Sequence, residues 1–110
     1  MEKPIFFNKS IKDNLMLFDT NFENIMSVCE RLKINNKILE LPDGYNTIIK
    51  SGIIDDDLLY MLSIAKIFLK NSRIILVEDI FDKLTRFYQD LVFNTLLNLK
   101  KEHTIIMITK

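Results

Sequence analysis

The chain has 110 residues, of which 48% are hydrophobic and 27% charged, a composition that fits one globular domain and excludes a disordered chain. Fifteen Lys and Arg balance fifteen Asp and Glu, so no positive field favours binding to nucleic acid. Apolar runs such as Ile74–Val77 contain only four residues, and we expect no direct insertion into a membrane. The lone Cys29 has no partner for an internal disulfide, which favours a cytoplasmic location.

The first half of the chain has helical patterns. Ser10 is typical of a cap for a short helix, and Thr20 with Glu23 has the spacing of a capping box that would start a second helix. The pair Asn35 and Asn36 is expected to interrupt the helical pattern before another short turn at 38–41. This half is therefore predicted to be mainly α-helical.

The second half alternates helix and strand. Apolar residues recur at three and four positions over 55–70, which predicts a helix with acids in its first turn. A β-branched run at 73–77 and another at 104–109 predict strands, and Asp82 is expected to cap the long helix between them. Strand, helix and strand in this order predict a parallel pair and an α/β fold class.

Two adjacent acids, Glu78 and Asp79, follow the first strand. Carboxylates at the carboxyl end of a parallel strand can hold a metal ion or orient a water molecule. A strand must also end at polar residues. For an acidic pair considered alone, this structural interpretation is more common than a metal or water site.

Three segments, taken in order, resemble the nucleotide-binding domain of ABC transporters, most closely the exporter type that includes type I secretion systems. Residues 2–14 read E-K-P-I-F-F-N-K-S-I-K-D-N, similar to the family segment after the Q-loop glutamine. Residues 38–47 read I-L-E-L-P-D-G-Y-N-T, similar to a stretch of the helical subdomain. Residues 62–79 read L-S-I-A-K-I-F-L-K-N-S-R-I-I-L-V-E-D, similar to the segment that ends in the acidic pair.

This resemblance implies part of a P-loop NTPase core with parallel strands and an α-helical subdomain. One unit is expected over 1–110, with the helical subdomain at about 10–72 and the strand–helix–strand part at about 73–110. The implied function is that of an ABC exporter module that couples ATP binding and hydrolysis to transport of a peptide or protein. ATP and Mg²⁺ are the implied cofactors, although tight binding to this stretch is not expected.

The chain departs from the family pattern at the residues that carry its chemistry. No phosphate-binding G-x-x-x-x-G-K-[ST] segment occurs in the 110 residues. The resemblance places Glu78 at the metal and Asp79 at the catalytic water, with the two acid types exchanged relative to the family. It places Glu2 at the Q-loop position and Lys110 at the switch histidine, where a solvated lysine is the simpler interpretation.

The family signature L-S-G-G-Q corresponds to residues 54–58, where this chain has Asp55, Asp56 and Asp57. Three carboxylates would repel a nucleotide phosphate at this position. Acids in the first turn of a helix are stabilised by its dipole, which is the simpler interpretation of the three residues and is favoured over a metal cluster. For these reasons this stretch is not expected to hydrolyse ATP.

The implied partners are a second nucleotide-binding domain or a second copy of the chain, and the transmembrane domain of a transporter. The implied location is the cytoplasmic face of the inner membrane. The alternative function is a degenerate, non-catalytic cassette that acts as an interaction or regulatory module.

Other single residues are predicted to be structural. His103 has no second metal ligand at a suitable spacing, so a zinc site is not expected there. Cys29 lies on the apolar face of the second helix and is predicted to be buried. The aromatic side chains near the start of the chain are predicted to belong to the core, although the same surface receives the membrane domain in the resembled family; they are Phe6, Phe7, Phe18 and Phe22.

Overall fold

The structure is a computed structural model that describes residues 6–69, 73–77, 82–99 and 104–108. Its α-helices within these ranges are α1 (Ile11–Leu15), α2 (Phe22–Arg31), α3 (Asn35–Leu39), α4 (Asp56–Leu69) and α5 (Arg86–Leu99). Its strands are β1 (Arg73–Val77) and β2 (Thr104–Ile108). Short 3₁₀ turns at Gly44–Asn46 and Ile49–Ser51 connect α3 to α4.

Side-chain caps start the first two helices. The backbone N–H of Asp13 donates to the hydroxyl of Ser10 at 3.0 Å, which confirms the predicted cap of α1. Helix α2 starts differently, because the N–H of Glu23 donates to the side chain of Asn21 at 3.0 Å. The predicted capping box from Thr20 is therefore wrong. Asn is as good a cap as Thr, and here it reaches the free amide two residues later.

Asn35 and Asn36 do not interrupt the helical pattern as predicted but form the first turn of α3. The interruption lies earlier, at Lys33, whose φ of 57° is in the left-handed region. The hydroxyl of Tyr45 donates to Asn35 Oδ1 at 2.6 Å. A tertiary hydrogen bond thus outweighs the weak helix propensity of asparagine.

The long helix of the second half also begins later than predicted. Its first residue is Arg86, and the N–H of Gln89 donates to the carbonyl of Thr85 at 2.9 Å. Asp82 therefore does not cap this helix. Residues 82–83 are themselves helical, and the buried Leu84 and the exposed Thr85 lie outside helical geometry between them and α5.

Strands β1 and β2 form a two-stranded parallel pair, connected through α5. Arg73 is in register with Thr104, and Val77 is in register with Ile108. The predicted end of the second strand, Thr109, lies outside the described residues.

Helix α4 lies at the centre of the core and packs against α2 and β1. Burial of its apolar stripe holds the helix in the core, since each fully buried aliphatic side chain contributes about 1.5–3 kcal/mol to the free energy of folding. The largest fully buried side chains come from α4 and its neighbours: Ile11, Leu15, Ile25, Leu32, Ile34, Ile38, Met61, Leu62, Ile64 and Val92.

The aromatic residues near the start of the chain divide between core and surface. Phe6 is buried, and Phe18 and Phe22 pack partly buried against the core, as predicted. Phe7 is 63% exposed, so its assignment to the core is wrong. The N–H and the carbonyl of Phe7 are both hydrogen-bonded to a buried side chain, that of Asn14.

Candidate functional site

The predicted signature position forms the start of α4. The N–H of Leu58 donates to Asp55 Oδ1 at 2.8 Å, and the N–H of Leu59 donates to the Asp55 carbonyl at 3.0 Å. Asp55 is therefore the N-cap of this helix, and its carboxylate occupies one of the amides that a helix start could offer to an anion. Asp55 therefore fits the favoured interpretation, in which the acids stabilise the start of the helix and do not form a metal cluster.

Asp56 and Asp57 follow in the first turn of α4, the first exposed and the second partly buried. Lys37 of α3 is a positive group on which the charges of Asp55 and Asp57 act. Burial acts to lower the pKa of Lys37, but a hydrogen bond with Tyr88 and the charges of Tyr88, Asp55 and Asp57 outweigh it and raise this pKa. The sequence does not predict the contact of Lys37 with Tyr88, because α3 and α5 are far apart in the chain.

Replacing the cap gives a first test of the helix start. Asp55→Ala is expected to lower the free energy of unfolding by about 1 kcal/mol, because the amide of Leu58 loses its acceptor. Asp55→Ser is the matched control, since serine also caps helices and should change stability by less than about 0.5 kcal/mol. Urea unfolding measures both variants. Equal losses in the two would show that the charge of Asp55, rather than its cap, is what stabilises α4.

Two of the quoted motif segments meet in the fold. Ser10 and Ile48 form an isolated antiparallel bridge, and the N–H of Ile11 donates to the carbonyl of Thr47 at 2.9 Å. Thr47 is buried, and its hydroxyl donates to the carbonyl of Gly44 at 2.7 Å. The two segments are therefore one structural unit, which neither of them predicts alone.

Asn14 holds the first of these segments in place and is only 2% exposed. Its Oδ1 accepts from the N–H of Phe7 at 2.9 Å, and its Nδ2 donates to the carbonyls of Phe7, Lys9 and Ser10 at 3.1, 3.3 and 2.9 Å. The motif pattern does not predict this role of Asn14. A signal existed, because Asn14 lies on the apolar face of α1, where a polar side chain must find internal partners.

A second polar cluster surrounds the buried Tyr45. Its ring packs edge-on against Phe22 with the centroids 5.0 Å apart, and its hydroxyl is bound to Asn35. Cys29 is fully buried beside it, and burial raises the pKa of its thiol to about 11, although the hydrogen bond with Tyr45 acts in the opposite direction. The prediction of a buried cysteine is confirmed, and the thiol stays protonated at neutral pH.

An open groove lies beside Asp56 and is lined mainly by apolar side chains, including Phe6 and Ile54. The ammonium of Lys66 stands 4.4 Å from the centroid of the Phe6 ring. Next to the groove the exposed apolar surface includes Ile53, which is 52% exposed. This surface can make apolar contacts, and the ionisable side chains that line the groove are Asp56 and Lys50.

Four predicted site residues lie outside the described residues: Glu2, Glu78, Asp79 and Lys110. Their roles stay predictions. His103, for which no zinc site was expected, also lies outside the described residues. Across residues 6–69, 73–77, 82–99 and 104–108 no group of three or more His, Cys, Asp or Glu side chains is arranged to hold a metal ion. In the same part of the chain, no helix has both the length and the hydropathy needed to cross a bilayer.

Comparison with known proteins finds relatives of this chain. A Haemophilus influenzae protein named "Probable ABC transporter ATP-binding/permease protein" is 31% identical over 112 residues, covering 98% of this chain and 20% of that protein. This chain is related to ABC transporters. The P-glycoprotein 14 of Caenorhabditis elegans, another ABC transporter relative, is 26% identical over 97% of the chain and 8% of its own length. No protein-family model matches the chain.

A solved structure titled as a bacterial Atm1-family ABC exporter with ATP bound superposes on this chain with a TM-score of 0.83. The superposition covers 99% of this chain and 20% of the exporter chain at 16% identity, so it compares the folds alone. The chain spans about a fifth of the length of the first relative and of the exporter. The resemblance to ABC transporters that the motifs indicated is confirmed.

Proposed function

We propose that this chain is a segment of the nucleotide-binding domain of an ABC exporter of the peptide or protein secretion type, in a form that does not hydrolyse ATP by itself. The observation that carries the proposal is the similarity to ABC transporters over nearly the whole chain. The parallel pairing of β1 with β2 through α5 supports its assignment to part of a P-loop NTPase core. Residues 10–72 would form the helical subdomain and 73–110 the core part.

The proposed site residues keep the positions that the motifs give them. Glu78 would hold Mg²⁺, and Asp79 would orient the attacking water of ATP hydrolysis. Glu2 would stand at the Q-loop and Lys110 at the switch. When bound, the cation would neutralise phosphate charge, and carboxylate oxygens are its usual protein ligands.

The signature turn is the described part of the proposed site, and its geometry supports loss of nucleotide contact there. The carboxylate of Asp55 accepts the N–H of Leu58, so this amide is engaged before any ligand arrives. Asp56 adds an exposed negative charge. An incoming phosphate would meet carboxylates where the family pattern has a hydroxyl and glycine amides.

The proposed partners are a second nucleotide-binding domain or another copy of the chain, and the transmembrane domain of a transporter at the cytoplasmic face of the inner membrane. Exposed apolar side chains on the unit formed by the two motif segments support a docking role. They include Phe7 at 63% and Ile48 at 43% exposure. Such side chains favour contact with a protein partner over contact with water.

The second candidate function is a degenerate cassette that acts only as an interaction or regulatory module. The capped and acidic turn at 55–57 favours it, because this turn is stable without a ligand. The reading frame upstream of the codon for Met1 discriminates the two functions. A phosphate-binding segment and membrane helices encoded in frame would support the exporter, whereas translation that starts at Met1 would support the module.

Calorimetry with Mg-ATP tests the proposal that the main phosphate site is missing from this stretch. The 110-residue chain is expected to bind Mg-ATP more weakly than about 100 μM, because it has no phosphate-binding loop to supply most of the contacts. Titration of the chain with Mg-ADP and with MgCl₂ alone provides the controls. Saturable Mg-ATP binding tighter than this limit would contradict the proposal that the main phosphate site is missing from these residues.

A further inference from the structure

The open groove beside Asp56 combines apolar walls with one charge of each sign. Its volume is about 390 Å³, and the apolar side chains that line it are Phe6, Ile49, Ile54 and Leu59. Lys50 and Asp56 line the same groove, and both are exposed. A groove of this composition favours a protein partner that covers the apolar walls and brings an anion to Lys50 and a cation to Asp56.

Exposed apolar side chains adjoin this groove. Phe7, Ile48 and Ile53 are each exposed, and each is a neighbour in the chain of a residue that lines the groove. Apolar side chains that share one region of the surface gain free energy when a partner removes them from water. The same region of the molecule therefore offers both a groove and the apolar side chains that could cover one.

A second copy of the chain meets both requirements. In a contact with twofold symmetry the same surface of each copy takes part, so that two residues that meet across the contact meet twice. Lys50 of each copy then pairs with Asp56 of the other, and the exposed apolar side chains of each copy cover the groove of the other. The formal net charge of the chain is zero, so no overall repulsion opposes the approach of two copies.

We propose that this groove and the exposed apolar side chains beside it form a self-complementary interface through which two copies of the chain make a symmetric dimer. The inference rests on the proposed function only for its partner, since another copy of the chain is one of the partners proposed there. Oligomeric state tests the dimer, whereas calorimetry with Mg-ATP tests the phosphate site, so either proposal can fail without the other.

Sedimentation equilibrium of the 110-residue chain tests the dimer, with charge reversal as the decisive step. One copy has a mass of 13.0 kDa, and at about 100 μM the parent chain is expected to sediment with roughly twice this mass. Lys50→Glu alone and Asp56→Lys alone each place like charges at both ion pairs, so each is expected to weaken the dimer about tenfold. An equimolar mixture of these two variants restores both ion pairs in a heterodimer and is expected to associate within about threefold of the parent chain.

A matched pair of substitutions tests the apolar part of the interface. Ile53→Ser removes apolar area from both sides of the symmetric contact and is expected to weaken the dimer at least about tenfold. Leu39→Ser is the control, because Leu39 is 55% exposed against 52% for Ile53 but does not line the groove. It should leave the dissociation constant within about twofold. Circular dichroism of every variant checks that its fold is retained.

A parent chain that stays monomeric at about 100 μM overturns the inference and leaves the groove to a partner of another kind. A dimer that both charge reversals leave unchanged overturns it as well, and so does a mixture that associates no better than its components. If a charge variant does not fold, the comparison of Ile53→Ser with Leu39→Ser decides instead. Equal effects of these two substitutions on the dissociation constant overturn the interface.

Discussion

Asn14→Ala is expected to lower the free energy of unfolding by about 2–4 kcal/mol, a large part of the stability of a small domain. The substitution removes the acceptor of the Phe7 amide and the donor to three carbonyls, all within the segment that precedes α1. Because the side chain is buried, water replaces these bonds poorly. Urea unfolding followed by circular dichroism measures the loss.

Asn24→Ala is the matched control for this prediction. Asn24 is exposed and makes a side-chain hydrogen bond to Asp19 at 3.0 Å, so the same chemical change should cost less than about 0.5 kcal/mol. Comparable losses in the two variants would mean that the network around Asn14 contributes little beyond a surface bond. The Asn14 variant should also loosen the bridge between Ser10 and Ile48, which backbone amide exchange reports.

The second large effect is expected in a chimera. When residues 1–110 of this chain replace the corresponding segment of the Haemophilus influenzae relative, ATP hydrolysis is expected to fall by about 100-fold or more. Under the proposed site assignment, the exchanged acids at 78 and 79 would move a carboxylate by about one carbon–carbon bond, and the acidic turn at 55–57 would repel phosphate. Steady-state phosphate release by the purified chimera and by the relative measures the difference.

Reversal of these departures provides the control. A chimera that carries Asp55→Ser, Asp56→Gly, Asp57→Gly, Glu78→Asp and Asp79→Glu is expected to recover at least about tenfold of the lost rate. A folded chimera that stays inactive after reversal would contradict the assignment of these five positions. An unreversed chimera that hydrolyses ATP at the rate of the relative would contradict the proposed loss of activity.

The sequence predicted well where local patterns act alone. The helix at 55–70 agrees with α4 within about one residue, because three-and-four spacing and an acidic start are local properties. The cap at Ser10 and the burial of Cys29 were also confirmed. Other predictions failed: Asn35 begins α3, α5 begins at Arg86 rather than after Asp82, and Phe7 is exposed. At Asn35 the structure shows a hydrogen bond from Tyr45, ten residues away, which a local pattern does not predict.

The sequence likewise predicts some features of the candidate site and not others. The proposed assignment of residues 54–58 to the signature position rests on motif order along the chain, and the three carboxylates at 55–57 are read directly from the sequence. The contact of Lys37 with the Tyr88 ring cannot be read there, because the two residues are far apart in the chain and meet only through folding.

The sequence by itself determined the family resemblance, the helix at α4 and the acids at its start, since each depends on the order and spacing of nearby residues. Only the tertiary structure decided that Asn14 ties the leading segment together, that Ser10 pairs with Ile48 and that Lys37 stands over Tyr88. The physical reason is that hydrogen bonds, strand pairing and cation–π contacts depend on distances in space between residues that local sequence patterns do not specify.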